Sequence, residues 1–272
     1  MSLGVCMIVK NEADVLADCL GDASRFADEL VILDTGSTDE TKEIAGRFSD
    51  KVYDFVWCDD FAAARNAAYE KATADHLMWL DADDRITPEN IDKILAWKDA
   101  IRHGESAGVK LFMAGYERPE NGGTFLYPRI TKRDAHFVWQ GIIHEHLVLP
   151  SDQMPLLPEE VETVDFSILH GKRKEPNYAR NIAIMEKLPE EELHRSFWLC
   201  ANCFLDCVLA DDTEKAEKYL SFAENSLTPF SERLNDYALI NAVLKHHRKY
   251  DAMMKWNAMY LRCREEYARG ID

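Results

Sequence analysis

Four short apolar runs constrain the first part of this chain more than any other feature: GVCMIV (4–9), ELVILD (29–34), KVYDFVW (51–57) and HLMWL (76–80). Each has the length and β-branching of a buried strand, and segments with helical spacing lie between them. Val15, Leu16, Cys19 and Leu20 lie on one helical face, and FAAARNAAYEKA (61–72) reads as another helix. Strand–helix alternation with continuously apolar strands implies a parallel sheet covered on both faces. Ser37 or Thr38 is placed to cap the helix after the second strand. Thr87-Pro88-Glu89 supplies a capping hydroxyl, a proline at the first helical position and an acid in the first turn.

Beyond residue 105 the pattern changes. AGVKLFMAGYE, TFLYPRITKR and FVWQGIIHEHLVL read as strands without helices between them, so the sheet becomes mixed. From Glu175 onward the chain reads as helical, with DDTEKAEKYLSFAENS, SERLNDYALINAVLKHH and DAMMKWNAMYLRCREEYA as successive helices. Ala216, Leu220 and Ala223 echo half of a tetratricopeptide unit, while the other half of that pattern is poorly met. The expected organisation is an α/β domain over residues 1–172 and an all-α appendage, TPR-like in part, over 173–272. Gly171 and Pro176 mark the join.

Charge and cysteine usage narrow the function. With 32 basic and 49 acidic side chains the net charge is −17, and no Lys/Arg-rich run offers a footprint for nucleic acid. No apolar run reaches the length of a membrane span. The first residues, MSLGVCMIVKNEADV, lack the positive start of a signal peptide. Seven cysteines, mostly in apolar contexts, fit reduced thiols in a cytoplasm. Cys200, Cys203 and Cys207 share one helical face among Trp198, Leu199, Phe204 and Leu205, which favours packing over metal.

The chemistry collects where the strands end. In an open parallel sheet ligands sit beyond the carboxyl ends of the strands. The residues there are Lys10, Asn11 and Glu12; then Asp34 to Ser37; then Asp59, Asp60, Arg65 and Asn66; then Asp81, Asp83 and Asp84. Carboxylates gathered without a counterion repel one another, and a hard divalent cation removes that cost. Mg²⁺ or Mn²⁺ prefers oxygen ligands and keeps positions that phosphate oxygens fill. A metal–diphosphate site therefore explains the acidic strand end. An EF-hand fails because Ile86 stands where that loop needs glycine. An aspartyl-phosphate phosphatase would place its acids after the first strand, where Lys-Asn-Glu stands, and glycine-rich nucleotide loops are absent. Zinc held by His144 and His146 is disfavoured by the harder Asp pair.

The segments VCMIVKNEADVLADCL, ELVILDTGSTDETKEIA, DDFAAARNAAYEKA, HLMWLDADD, WQGIIHEHL and ILHGKRK…NYARNIAIME occur in an order that resembles glycosyltransferase family 2. They are most similar to its bacterial branch with an MIVKNE-type first strand and helical repeats afterwards. The resemblance spans about the first 185 residues. It implies a GT-A fold, Rossmann-like with helices on both faces of a mixed sheet. It also implies metal-dependent, inverting transfer of a sugar from a nucleoside diphosphate donor, UDP-hexose being favoured.

Carried over position by position, the resemblance implies that Lys10, Asn11, Glu12 and Asp34 line the base and ribose pocket. Arg65 approaches the donor, and Asp81 and Asp83 form the metal–diphosphate motif with Asp83 as the direct ligand. His170 completes the site for Mn²⁺ or Mg²⁺. His144-Glu145 stands where the family often has an acidic pair, which puts His144 at the nucleotide-sugar and Glu145 at the catalytic base. A partly desolvated carboxylate suits that task, removing the acceptor's proton as the sugar–phosphate bond breaks. On a continuous strand, His144 and His146 would face one way and Glu145 the other. The expected partners are a UDP-sugar and a peptide, protein or carrier-linked glycan acceptor. The rival readings are a nucleotidyltransferase of related topology and a non-catalytic peptide-binding scaffold.

Overall fold

The structure, a computed structural model, describes residues 1–118, 123–150, 156–171 and 177–269. Ten strands and ten α-helices lie among the described residues. The chain forms two compact units, residues 1–140 with 145–174, and residues 141–144 with 175–272. The expected join after residue 172 lies outside the described residues.

The first unit is built on an eight-stranded sheet. Its strands are β1 (Leu3–Val9), β2 (Glu29–Asp34), β3 (Val52–Asp54), β4 (His76–Trp79), β5 (Asp84–Arg85), β6 (Leu111–Arg118), β7 (Gly123–Lys132) and β10 (Val161–His170), in the order β3-β2-β1-β4-β7-β6-β10-β5. The four apolar runs pair in parallel, with β1 central between β2 and β4. The mixed extension begins where β7 runs antiparallel to both β4 and β6.

Strand alternation sorts the core into two layers. Leu3, Val5, Met7 and Val9 of β1 face α1 (Leu16–Ala23), α2 (Thr41–Gly46) and α4 (Pro88–Arg102). Cys6, with Val31 and Leu33 of β2, faces α3 (Phe61–Lys71), whose Ala62, Ala64 and Ala68 let that helix approach closely. The mixed GT-A-type sheet with helices on both faces is therefore present.

Local signals worked unevenly. Thr87 caps α4 by accepting from Asn90 N, with Pro88 at the first helical position. Asp60 caps α3 by accepting from Ala63 N. Neither Ser37 nor Thr38 caps α2; Asp39 accepts from Thr41 N there, while Ser37 and Thr38 bind Asn11. The third strand is short, because Phe55 onward leaves the ladder after a last bond from Phe55 N to the Asp34 carbonyl.

The expected strand over 137–149 is a correction of substance. It is a separate hairpin of β8 (Val138–Gln140) and β9 (His146–Val148), interrupted where Gly141 and His144 take positive φ of 95° and 52°. Left-handed backbone at both positions breaks the pleat, so strand parity does not relate His144 to Glu145.

The second unit is helical: α5 (Tyr178–Met185), α6 (Glu190–Arg195), α7 (Phe197–Leu209), α8 (Thr213–Glu224), α9 (Phe230–His246) and α10 (Tyr250–Ala268). Its core closes around Trp256, fully buried and stacked on Phe204 with centroids 5.3 Å apart. Cys200, Cys203 and Cys207 are buried on α7, and burial pushes each thiol up. They pack, as their spacing implies.

Candidate active site

Because β2, β1 and β4 are neighbours and parallel, their carboxyl ends bring three polar segments to one edge. At the first, Asp34 ends β2 opposite Val9. Its Oδ1 accepts from Gly36 N at 3.0 Å and Ser37 N at 2.9 Å, which folds the turn, while the buried Oδ2 has no hydrogen-bond partner among the described residues. The adjoining β1 end is laced to the same turn. Asn11 N donates to Ser37 Oγ at 2.9 Å, Asn11 Oδ1 accepts from Thr38 N at 2.7 Å, and Glu12 N donates to Thr41 Oγ1 at 2.7 Å. Asn11 takes a φ of 53°, so the chain turns sharply after Lys10. Lys10 and Asn11 are exposed and Glu12 is half-buried.

At the second, Arg65 projects from α3 between two carboxylates. Nε donates to Glu145 at 2.6 Å and Nη2 to Asp81 at 3.0 Å. Its guanidinium lies 5.0 Å from the Trp79 ring centroid and 4.9 Å from that of Trp139. Burial disfavours the cation, but Asp81 and Glu145 outweigh it and hold the arginine pKa above its ordinary value. Trp139 is buried, so its ring packs against Arg65 and Tyr69. Asn66 clamps β8 to α3 through both atoms of its amide.

At the third, the two-residue strand β5 pairs antiparallel with the end of β10, placing His170 opposite Asp84. His170 Nε2 lies 3.8 Å from Asp83 Oδ2, is buried, and has no hydrogen-bond partner among the described residues. Ligand atoms of Asp83, Asp84 and His170 all fall within 4.8 Å of one another. Burial pushes the Asp83 carboxyl up to about 6; His170 pulls it down, and Asp81 and Asp84 add to the rise. Asp84 behaves differently. Burial would raise it, but Arg129 above all, with His170, Asp81 N and Tyr116, holds it below the usual carboxylate range.

A buried imidazole nitrogen with no partner, facing a half-buried carboxylate, is a donor set that fits a hard divalent cation. The spacing Asp81-Ala82-Asp83 thus sends its two acids to different partners, Asp81 to Arg65 and Asp83 toward His170.

Among the expected site residues, Asp34, Arg65, Asp81, Asp83, Glu145 and His170 meet along this edge with the Lys10–Glu12 turn. His144 belongs to the helical unit. Its Nε2 lies 3.1 Å from Asp206 Oδ2, a buried acid that also accepts from Asn181, and its carbonyl accepts from Trp198 Nε1 at 3.0 Å. Two residues of the site carry no signal in the sequence. Tyr116 and Arg129, from β6 and β7, both reach Asp84.

The model of Glycosyl transferase family 2 matches residues 4–143. The chain belongs to that family. Family 2 membership removes the nucleotidyltransferase as a reading of the sheet. A TPR repeat-containing protein of Synechococcus elongatus is 45% identical over 87 residues, 32% of this chain and 22% of that protein. The SPbeta prophage-derived glycosyltransferase SunS of Bacillus subtilis is 26% identical over 98% of this chain and 63% of its own length. The chain thus spans about a fifth of the first relative and under two thirds of the second. Among solved structures, S. aureus TarS 1–349 in complex with UDP-GlcNAc matches with a TM-score of 0.52 at 16% identity, covering 99% of this chain and 92% of that one. That likeness is one of fold. No helix among the described residues is long and apolar enough to cross a membrane.

Proposed function

We propose that this family 2 protein is an inverting glycosyltransferase that uses a divalent metal and a UDP-hexose donor. The observation that carries the reading is the buried His170 Nε2, without a hydrogen-bond partner among the described residues, facing Asp83 beside the Asp81–Arg65–Glu145 cluster. TarS, whose complex holds UDP-GlcNAc, favours a uridine diphosphate sugar as donor.

In this reading Asp34 Oδ2, the orphaned acceptor at the end of β2, takes a donor hydrogen bond from the nucleoside, with Lys10, Asn11 and Glu12 around the base and ribose. Asp81 and Arg65 sit at the diphosphate end, and Asp83 and His170 hold Mn²⁺ or Mg²⁺. When bound, the metal supplies positive charge that stabilises the diphosphate leaving group. Glu145 accepts the proton of the acceptor hydroxyl. That oxygen forms its bond to the anomeric carbon as the bond from carbon to phosphate oxygen breaks, and the electron pair leaves with the diphosphate. Attack from the opposite face inverts the anomeric centre. Arg65 fixes the direction of the Glu145 carboxylate through the 2.6 Å bond, and a base held in one orientation favours such a transfer.

His144 is read differently. Its bonds to Asp206 and Trp198 suit a residue that secures its own loop within the helical unit rather than one that touches the nucleotide-sugar. The acceptor is a peptide, protein or carrier-linked glycan, with the helical unit, TPR-like in part, as its docking element. Seven free cysteines, six of them buried, suit a cytoplasmic protein.

Calorimetry with UDP in the presence and absence of Mn²⁺ tests the reading, followed by donor hydrolysis across UDP- and GDP-sugars. Metal-dependent heat and preferential UDP-hexose turnover are expected. No heat under either condition would leave an inert scaffold as the better description.

A further inference from the structure

The geometry points to Tyr116 as a positioning residue: its hydroxyl donates to Asp84 and accepts from Nδ1–H of His170, fixing the tautomer whose Nε2 lone pair faces Asp83. This rests on the metal site proposed above and deepens it.

The tyrosine hydroxyl has one proton, and among the described residues it lies close to Asp84 Oδ1, at 3.0 Å, and His170 Nδ1, at 2.6 Å. Its proton can lie toward only one of them. The charge on Asp84 decides which. Arg129 Nη1 donates to Asp84 Oδ2 at 3.1 Å, and both side chains are wholly inaccessible to solvent. The same oxygen accepts from Asp81 N at 3.0 Å. A neutral Asp84 would leave the buried guanidinium without its counter-charge, which is costly. The carboxylate therefore stays ionised and can only accept.

If Tyr116 donated instead to His170, two oxygen lone pairs would face each other across 3.0 Å with no proton between them. The hydroxyl proton thus goes to Asp84, and the hydroxyl oxygen takes the proton on Nδ1. One tautomer remains, with Nε2 bare. His170 Nδ1 lies 3.7 Å from Asp84 Oδ1, too far for a direct hydrogen bond, so the tyrosine is the necessary intermediary.

The same ring is held by its face. The Arg129 guanidinium lies 4.3 Å from the Tyr116 centroid and 3.5 Å from that of Trp79. Strand register supplies the rest, since β6 and β10 pair Tyr116 with Ile168, two residues before His170. Metal-binding histidines commonly donate their second nitrogen to a fixed acceptor, and losing that acceptor weakens metal affinity roughly 10- to 100-fold.

The test is the ¹⁵N spectrum of histidine-labelled protein at a pH where imidazole is neutral, with the His170 signals assigned by their absence in His170→Asn. Protonated Nδ1 and bare Nε2 are expected in the unaltered chain. Tyr116→Phe should mix the tautomers and weaken Mn²⁺ binding roughly 10- to 100-fold by electron paramagnetic resonance. A proton on Nε2 in the unaltered chain overturns the inference, as does a Tyr116→Phe protein with both tautomer and affinity unchanged. Protonated Nδ1 in a chain that takes up no Mn²⁺ would support the assignment here and overturn the proposed function instead.

Discussion

Glu145 and Arg65, 80 residues apart in sequence, meet through a 2.6 Å hydrogen bond in which each side chain is only 11% exposed. The same guanidinium holds Asp81 at 3.0 Å. Arg65→Ala would leave two carboxylates without their shared cation, and breaking such a pair costs about 3 kcal/mol of stability. Arg65→Lys keeps a charge but not the planar fork, so one of the two contacts is lost. We expect it to retain most stability in urea denaturation while transfer falls by at least about 100-fold. Equal transfer rates for Arg65→Lys and the unaltered chain would remove Arg65 from any positioning role.

Glu145→Gln keeps the shape of the side chain and removes its capacity to take a proton. UDP affinity in Mn²⁺ should change little, while transfer drops by about 100- to 10,000-fold. Calorimetry and a donor-turnover assay on one preparation separate the two effects. Normal turnover would place the base elsewhere.

Asp83 gives a pH signature. Its carboxyl is pushed up to about 6 by burial, from 3.8 in an unfolded chain. Between those values the folded protein holds a proton that the unfolded chain releases. Metal-free stability therefore falls as pH rises through about 4 to 6, by about 3 kcal/mol from this group. Asp83→Asn should match the unaltered chain near pH 4 and exceed it at pH 7. Mn²⁺ should stabilise the unaltered chain above pH 6 and leave the variant unmoved. Parallel stability–pH curves for the two metal-free proteins would contradict this.

The Asp84–Arg129 pair is suited to a double-mutant cycle. Arg129→Met alone strands a buried carboxylate and should cost about 3–5 kcal/mol. Adding Asp84→Asn removes the stranded charge and should recover a large part of that loss. With Asp84→Asn alone as the fourth corner, a double variant whose loss is the sum of the two single losses would mean that the pair is not coupled.

What could be read before folding, and what could not, follows from the range of the interactions. The four parallel strands, the Thr87 cap and the acidic strand end are set by neighbours within a few residues, and each carries its own local pattern. Asp34, Asp81 and Asp83 could be read as edge residues because a parallel sheet puts every strand's carboxyl end on one side. Tyr116 and Arg129 could not. They sit in ordinary strand positions, and only the pairing of β5 with β10 and of β6 with β7 turns them toward Asp84. The segment around His144 misled for a related reason. An apolar run with alternating polarity looks like one strand, and the left-handed turns at Gly141 and His144 that split it leave no unambiguous mark in the residue pattern.

Gly171 offers a way to disturb the site without touching any ligand atom. Its N–H donates to the Asp83 carbonyl at 2.9 Å, locking the chain after His170 against the acidic turn. A Cβ at this position would lie 2.1 Å from the Asp83 carbonyl oxygen, a backbone atom that cannot swing aside as a side chain could. Gly171→Ala must therefore move one strand end relative to the other, separating Asp83 from His170. We expect Mn²⁺ affinity to fall by about 10-fold or more, as for other changes that misplace a ligand's support. UDP binding without metal should be spared, because the Asp34 turn on β2 lies on a different strand end. Titration of each ligand alone distinguishes the two, and undiminished Mn²⁺ affinity in Gly171→Ala would show that the spacing of Asp83 and His170 does not govern the site.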